Sequence, residues 1–316
     1  MVKKYSNFSF TGHFKIFAVI SIILIAVGLV SLLLLPFGVK LFNFDIDFLG
    51  GTTMQYELHT DVTADVTSDI EQIVKDTSGS APSSVTRAGD SGTQVVIKML
   101  EVDSNTRDAI FNAVAEKYDL QDADNIRSDF VSSSVGADLT SKAIKASLIA
   151  VLLILLYISI RFEFRSGVAA VLALLHDLLV MLSMYVIFQI PFNMSFIAAA
   201  LTIFGYSINA TIVVFDRVRE NKKSVQFSKA PFSEVVDKSI WQTMARSLNT
   251  TFTTLVVMVM LLILGVSSIR NFAAPICVGV ISGCYSSVCI SGPLWNLFSG
   301  KKEKAKQFFK SFRDLQ

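Results

Sequence analysis

Six long apolar stretches set the pattern of this sequence. In chain order they cover residues 14–35, 143–160, 168–188, 194–215, 247–264 and 272–298. A helix needs about 20 mostly apolar residues to cross a bilayer. The pattern therefore predicts a multi-pass α-helical membrane protein with six transmembrane helices. We expect the first helix to be retained, because residues 35–37 carry no small-residue cleavage pattern.

The segment between the first two stretches has the mixed pattern of a water-soluble domain. Gly50 and Gly51 predict a sharp bend or close backbone packing. Strands are predicted at residues 43–48, 52–58, 84–87, 93–99 and 126–135, and amphipathic helices at 62–77 and 103–118. After the first short strand, the order is strand, helix, strand, strand, helix, strand. This order predicts an extracytoplasmic α+β domain of ferredoxin-like topology over residues 41–140.

The charge is distributed unevenly along the chain. Residues 40–141 contain seven Lys or Arg against eighteen Asp or Glu, a balance of −11, and the remainder carries +13. Basic residues cluster at 3–4, 161–165, 217–223 and 301–313, and such clusters stay in the cytoplasm. We therefore predict that both termini are cytoplasmic and that the acidic domain lies outside. Lys142, Lys145 and Arg270 fall on the outer side, against this trend.

These patterns divide the chain into four parts. Residues 1–40 form the N-terminus and first helix, 41–140 the outer domain, 141–298 the remaining bundle and 299–316 a basic tail. Within the bundle, residues 216–245 are predicted to form a cytoplasmic loop that includes a short amphipathic helix lying along the membrane. The basic tail is expected to contact membrane lipids and no nucleic acid.

Nothing in the sequence predicts an enzyme, a cofactor or a metal site. Cys277, Cys284 and Cys289 all lie in the last apolar stretch without metal-binding spacing, and we expect them to be packing residues. The outer domain has no Ser/His/Asp grouping and no glycine-rich phosphate loop. An intramembrane protease would need paired aspartates or a zinc motif, but HExxH is absent and Asp177 and Asp216 fall at different depths.

Polar residues inside or at the ends of the apolar stretches are the candidate functional residues. They are His176, Asp177, Asn209, Asp216 and Arg246. Ionisable groups in hydrocarbon are costly, and they often mark an ion pathway or a joint between moving helices. Helical spacing places Gly205, Asn209, Ile212 and Asp216 on one face of the fourth helix, and Arg246, Asn249, Thr250 and Thr253 on one face of the fifth. The sixth carries a stripe of small residues, Gly279, Ser282, Gly283 and Ser286, which predicts close helix packing.

Arg246 has two interpretations from sequence alone. Its guanidinium stays charged at physiological pH, so it either snorkels to water or has a lasting partner in the bundle. A carboxylate near it would gain or lose a proton under its influence, and Asp177 is one candidate. The pair of His176 and Asp177 is equally compatible with a static hydrogen-bonded support for neighbouring helices.

Several ordered motifs resemble one known family. They are DIDFLGGT at 45–52, VSSSVG at 131–136, RFEFR at 161–165, ALLHD at 173–177, LTIFGYSINATIVVFDRVREN at 201–221 and QTMARSLNTTFTT at 242–254. Together they resemble the SecF proteins of the bacterial SecDF family, within the RND transporter superfamily. The likeness runs from the first helix to the fifth and so covers nearly the whole chain.

The resemblance implies a role in protein export. In this family SecF pairs with SecD as two pseudo-symmetric six-helix halves, joins the SecYEG channel, often with YajC, and uses a proton or sodium gradient to draw preproteins outward. An aspartate after the asparagine of the GYS stretch is implicated in proton passage with an arginine of the fifth helix. Asn209 and Arg246 match that asparagine and that arginine.

This sequence departs from the family pattern at position 210, where alanine replaces the aspartate. Three outcomes follow. A SecD partner supplies the only working carboxylate, Asp177 substitutes for it, or this half of the complex is mainly structural. We favour the first, because pseudo-symmetric transporters place sites between their halves.

The sequence thus favours a secretion-accessory subunit in the bacterial cytoplasmic membrane. Gly50 and Gly51, with the joins at Leu41 and Ala137, are expected to pass helix movements to the outer domain. Thr52 and Gly205 are predicted to be hinge or structural-motif residues with them. The alternative is an RND-type exporter of lipids or small amphiphiles, which predicts a larger outer region with an apolar tunnel.

Overall fold

The computed structural model describes residues 8–39, 41–89, 91–227, 230–265 and 267–299. The chain divides into two compact units. The outer unit is Phe44–Lys145, compared with the predicted range of 41–140. The membrane unit contains the residues on either side of it. The predicted basic tail and the cluster at residues 3–4 lie outside the described residues.

Helices and strands follow one another in a simple order along the described residues. The helices are α1 Phe14–Leu34, α2 Ile46–Leu49, α3 Ala64–Ser78, α4 Ser104–Tyr118, α5 Ser133–Arg161, α6 Phe164–Ile187, α7 Met194–Lys223, α8 Phe232–Leu264 and α9 Ser267–Ser286. The strands are β1 Gly51–Glu57, β2 Ser84–Ala88, β3 Gln94–Met99 and β4 Asn125–Val131. A single π-helical turn, Ser287–Ser291, follows α9.

The prediction of six transmembrane helices is confirmed. Within the described residues, six helices are long and apolar enough to cross a bilayer. They are Phe14–Phe37, Ser134–Arg161, Phe164–Ile187, Met194–Lys223, Phe232–Leu264 and Ile269–Ser299. Three of them, α6, α7 and the last span, bury much of their surface against one another, whereas α1, α5 and α8 leave most of theirs exposed.

The predicted loop at residues 216–245 is wrong over most of its length. Helix α7 continues to Lys223, and α8 begins at Phe232 and runs without a break into the fifth span. No separate helix lies along the membrane in the described part of this region. The Arg, Lys, Glu and Gln side chains of this segment are good helix formers. The two helical extensions also pack against each other through Asn221 and Ser239.

Small residues let the last span pack closely against α7. A Cβ atom at Gly279 would lie 2.5 Å from Ile203 Cγ1, and one at Gly283 would lie 3.1 Å from Ser207 Cβ. The predicted small-residue stripe is therefore confirmed as a packing surface. At the end of this span, Trp295 is buried against Phe215 of α7 and Phe232 of α8.

The outer unit contains a four-stranded antiparallel sheet in the order β2-β3-β1-β4. Helices α3 and α4 supply Ile70, Val74, Ile110 and Val114 to its core, against strand residues such as Tyr56. The predicted order strand, helix, strand, strand, helix, strand is confirmed. The name ferredoxin-like for this domain remains a prediction.

Two boundaries of the outer unit differ from the prediction. The predicted strand at 43–48 is wrong, because the Asp45 side chain accepts from the Ile46 backbone N–H and caps the short helix α2. Asp45 is also 3.0 Å from the Lys98 ammonium on β3. At the other end β4 stops at Val131 and α5 begins at Ser133. Ala137, predicted to be a join, therefore lies inside a helix.

The paired glycines occupy backbone conformations that other residues rarely adopt. Gly50 has φ +74° and Gly51 has φ +133°. A Cβ atom at Gly51 would lie 2.5 Å from the Met99 carbonyl oxygen. The adjacent Thr52 is fully buried. The predicted bend and close packing are confirmed, and a hinge role for these residues remains a prediction.

Replacing Gly51 by alanine should destabilise the outer domain more than the matched change at Gly79. Both glycines have positive φ, but a Cβ atom at Gly79 meets nothing within 4 Å. We expect Gly79→Ala to lower the free energy of unfolding by about 1 kcal/mol and Gly51→Ala by at least about 2 kcal/mol. Urea unfolding of a fragment covering residues 44–145 measures both. Equal losses would show that the approach to Met99 costs nothing.

The outer domain should lose stability in acid. Hydrogen bonds from Lys117 and then Tyr118 lower the pKa of Asp69, and hydrogen bonds from Thr106 lower the pKa of Asp103. A carboxylate whose pKa is lower when folded contributes stability above its unfolded value, and this stability is lost as the pH falls through the folded value. With an ordinary value of 3.8, the loss should begin below about pH 4.

The acid effect is tested by urea unfolding of the same fragment at several pH values. Asp69→Asn should reduce the loss of unfolding free energy at low pH, since the amide does not titrate. Glu71→Gln, an exposed change in the same helix, is the control and should leave the decline in place. A decline of equal size in Asp69→Asn would rule out the contribution of Asp69.

Candidate functional site

The FDRVREN motif lies where the extensions of α7 and α8 meet. Arg217 Nε donates to Gln242 Oε1, and Asn221 Nδ2 donates to the same oxygen at 2.7 Å and to Ser239 Oγ at 2.9 Å. One amide oxygen of α8 thus accepts from two residues of α7. This polar seam fixes how the two helices face each other where they leave the apolar region.

A cleft opens between α7 and α8 next to this seam. It has a volume of about 480 Å³, and a smaller cavity of about 140 Å³ adjoins it. Asn209 and Arg246 line both spaces. The larger cleft is also lined by Ile212, Val213, Asp216, Arg217, Glu220, Gln242 and Thr243. The predicted polar faces of the fourth and fifth spans therefore do meet.

Arg246 is an exposed cation that lines this cleft. Across the described residues, its guanidinium has no hydrogen bond or ion pair with a side chain. Asp216 lines the same cleft, but its carboxylate lies 3.6 Å from the Arg161 guanidinium at the end of α5. Ala210 lines the smaller cavity and contributes no carboxylate. The structure thus places Arg246 beside Asn209 without a direct counter-charge from this part of the chain.

Asp177 lies in a separate, buried site between three helices. It is fully buried, and each carboxylate oxygen accepts from serine: Oδ1 from Ser282 at 2.6 Å, and Oδ2 from Ser207 at 2.6 Å and Ser286 at 2.8 Å. His176 Nδ1 lies 3.1 Å from Oδ1. Helices α6, α7 and α9 therefore meet at one carboxylate.

The suggestion that Asp177 pairs with Arg246 is wrong. The carboxylate contacts of Asp177 are the three serines and His176, whereas Arg246 faces the α7–α8 cleft. Sequence reasoning identified Ser282 and Ser286 only as small packing residues and did not identify Ser207. A serine in an apolar helix usually bonds its own backbone, so its spacing alone does not show that it reaches another helix.

The segment before α1 is tied to the extension of α8. Asp237 accepts from the Thr11 backbone N–H at 2.8 Å, from Thr11 Oγ1 at 2.9 Å and from Ser9 Oγ. Trp241 Nε1 donates to the Phe8 carbonyl oxygen at 3.0 Å. This contact was not predicted, because a surface aspartate gives no signal of its partner 226 residues away.

The described residues offer no cluster for a metal ion. Among them, no group of three or more His, Cys, Asp or Glu side chains has suitable geometry. Cys277, Cys284 and Cys289 are buried free thiols in the last span.

The fold and the site together define a class of polytopic membrane protein. Proteins of this class have six spans, an α+β domain between the first and second spans, and polar groups inside the helices. The sequence model of the family described as protein export membrane protein SecD/SecF, C-terminal, matches residues 110–301. A curated relative, protein translocase subunit SecF of Sebaldella termitidis, is 36% identical over 270 residues, which cover 85% of this chain and 86% of that protein. The chain belongs to the SecD/SecF family of protein export membrane proteins.

Longer proteins are similar to this chain in sequence and fold. Protein translocase subunit SecDF of Bacillus subtilis is 35% identical over 303 residues, 95% of this chain and 39% of that protein. The crystal structure of SecDF from Thermus thermophilus, described as a translocon-associated membrane protein, matches with a TM-score of 0.82 and 31% identity. The match covers 95% of this chain and 39% of that one. The chain thus spans about two fifths of the SecDF proteins.

Alanine at Gly279 should loosen the contact between α7 and α9, whereas alanine at Gly205 should not. A Cβ atom at Gly279 meets Ile203 at 2.5 Å, and one at Gly205 meets nothing within 4 Å. We expect Gly279→Ala to cost about 1–3 kcal/mol and Gly205→Ala to be neutral or slightly stabilising. Thermal unfolding in detergent measures both. If Gly205→Ala proved the more damaging, packing would not explain the glycines.

Proposed function

We propose that this chain is a non-enzymatic accessory subunit of a preprotein translocase. In this proposal it pairs with a SecD-like partner, and the pair uses a proton or sodium gradient to promote a late stage of export across the cytoplasmic membrane. Membership in the SecD/SecF family supports the export role. It also favours this role over export of lipids or small amphiphiles.

The observation that carries the proposal is the open polar face around Arg246. Arg246, Asn249 and Thr250 are all exposed on α8, and Arg246 and Thr250 share the smaller cavity with Ala210. Lipid tails offer a guanidinium neither hydrogen bonds nor counter-charge. Another protein covering this face would provide both, and a membrane subunit of the SecD type fits that requirement.

The charge of the cleft specifies what that partner contributes. Arg246 has no carboxylate directly against it among the described residues, and Ala210 cannot titrate. A carboxylate on the partner, facing Arg246 across the cleft, would complete the site. Loading and release of an ion there would change the attraction between the two subunits and so the packing of α7 and α8.

The outer unit is the part that would use this movement. It joins the membrane helices at both ends, through α2 and α5. We assign it to the outer side of the membrane and both termini to the cytoplasm, from the acidic and basic halves of the sequence. Association with SecYEG, and with YajC, belongs to the same proposal.

Arg246→Ala should abolish the contribution of this chain to export. In cells lacking the native chain, we expect secretion of a reporter to fall to the level seen without any copy. Arg246→Lys should retain part of the activity, since the charge is kept but the planar fork of donors is lost. Arg219, which donates to the Arg161 carbonyl oxygen, provides the matched control, and Arg219→Ala should preserve export.

Two results would argue against the proposal. Full export by Arg246→Ala would exclude an ion-coupling role for the cleft. Purification in mild detergent without a SecD-like partner, together with release of labelled lipid by cells carrying the chain, would favour the exporter instead.

A further inference from the structure

The carboxylate of Asp177 is saturated with donors. Three serine hydroxyls and the facing His176 nitrogen place two partners on each oxygen, at 2.6–3.1 Å. An ionised carboxylate has about four acceptor positions. Hydrogen bonds of about 2.6 Å from hydroxyl groups are typical of a charged acceptor. The geometry therefore fits an ionised Asp177 that has no free position for a metal ion.

His176 is the second half of this buried site. Its side chain is 7% exposed. With Nδ1 donating to Asp177, the proton-free nitrogen is Nε2, and Nε2 is buried with no hydrogen-bond partner among the described residues. An unpartnered imidazole lone pair beside a fixed carboxylate is able to take up a proton.

The groups around the pair do not compensate its charge. Helix α7 presents Ser207, and α9 presents Ser282 and Ser286. Tyr285 of α9 is the titratable neighbour, with its ring 5.8 Å from the His176 ring, and its hydroxyl donates to the Phe17 carbonyl oxygen of α1 at 2.9 Å. No lysine or arginine of the described residues contacts the pair.

We propose that His176 and Asp177 form a buried proton-binding site within this chain, distinct from the Arg246 cleft. One proton adds to the Nε2 lone pair, no bond breaks, and the pair changes from a net charge of −1 to an ion pair of net charge zero. A charge buried among membrane helices is costly without a partner, so proton uptake stabilises the junction of α6, α7 and α9. Proton binding stands on this geometry alone, and its coupling to export rests on the proposed function.

A proton fits this site better than sodium does. All four acceptor positions of Asp177 are occupied, and the group still without a partner is a nitrogen. Alkali and other hard cations prefer oxygen ligands. A proton needs no additional volume in a junction where Asp177 is fully buried.

The test is a pH titration of the purified full chain in detergent. The titration is monitored by nitrogen NMR of labelled histidine. The chain has three histidines, and the signal lost in His176→Gln identifies His176. We expect that signal to change from the neutral to the imidazolium form as the pH is lowered. Asp177→Asn should alter this change, because the carboxylate that faces the imidazole is lost. Sodium added at constant pH should leave the signal unchanged.

A second pair of variants tests the site if Asp177→Asn does not fold. Ser282→Ala removes a donor from the oxygen that faces His176 and should move the titration of His176. Ser291 is equally buried but donates to Ser287 O within its own span, so Ser291→Ala should leave the titration unchanged. Equal shifts in the two variants would assign the effect to general loosening of the bundle and overturn the proposal.

Three further results would also overturn the proposal. They are a His176 signal that never changes form during the titration, an Asp177→Asn titration identical to that of the unmodified chain, and displacement of the proton by sodium. Export assays then separate the two proposals. Titration of His176 together with normal export by His176→Gln would leave the proton site intact and show that the work of export does not pass through it.

Discussion

The membrane unit depends on satisfying one fully buried carboxylate. Asp177 draws a hydroxyl from α7 and two from α9 onto a residue of α6. Removing one partner of a buried charge is destabilising, so these three hydroxyl groups help to hold α6, α7 and α9 together. The small residues Gly279 and Gly283 bring α9 close enough to α7 for the hydroxyls to reach.

The same requirement separates the inner helices from the outer ones. Helices α6, α7 and α9 surround the Asp177 carboxylate with donors, whereas α8 carries Arg246, Asn249 and Thr250 on an exposed face. A helix with this face is not suited to lipid on that side. Under the proposed function, this exposed face of α8 is the surface that a SecD-like partner would cover.

How far the sequence predicted the structure depends on how local each signal is. The six spans were predicted from the lengths of the apolar stretches. The helices and strands of the outer unit were predicted from hydrophobic periodicity and turn residues. The strand expected at 43–48 was wrong because a cap by Asp45 outweighed the alternation. The loop expected at 216–245 was wrong because charge in the sequence does not show whether a helix continues beyond the membrane. The link from Asp177 to Ser207 joins residues on separate helices, so no single stretch of sequence contains it.

The close approach of Gly136 to the turn before β1 has a mechanical consequence. A Cβ atom at Gly136 would lie 3.1 Å from both the Gly50 nitrogen and the Phe48 carbonyl oxygen, so the start of α5 rests directly on the turn that leads into β1. Gly51 at the start of β1 also pairs with Val131 at the end of β4. The entry to the outer domain and the exit from it are therefore held side by side by backbone contacts, and they cannot separate unless this end of the sheet opens.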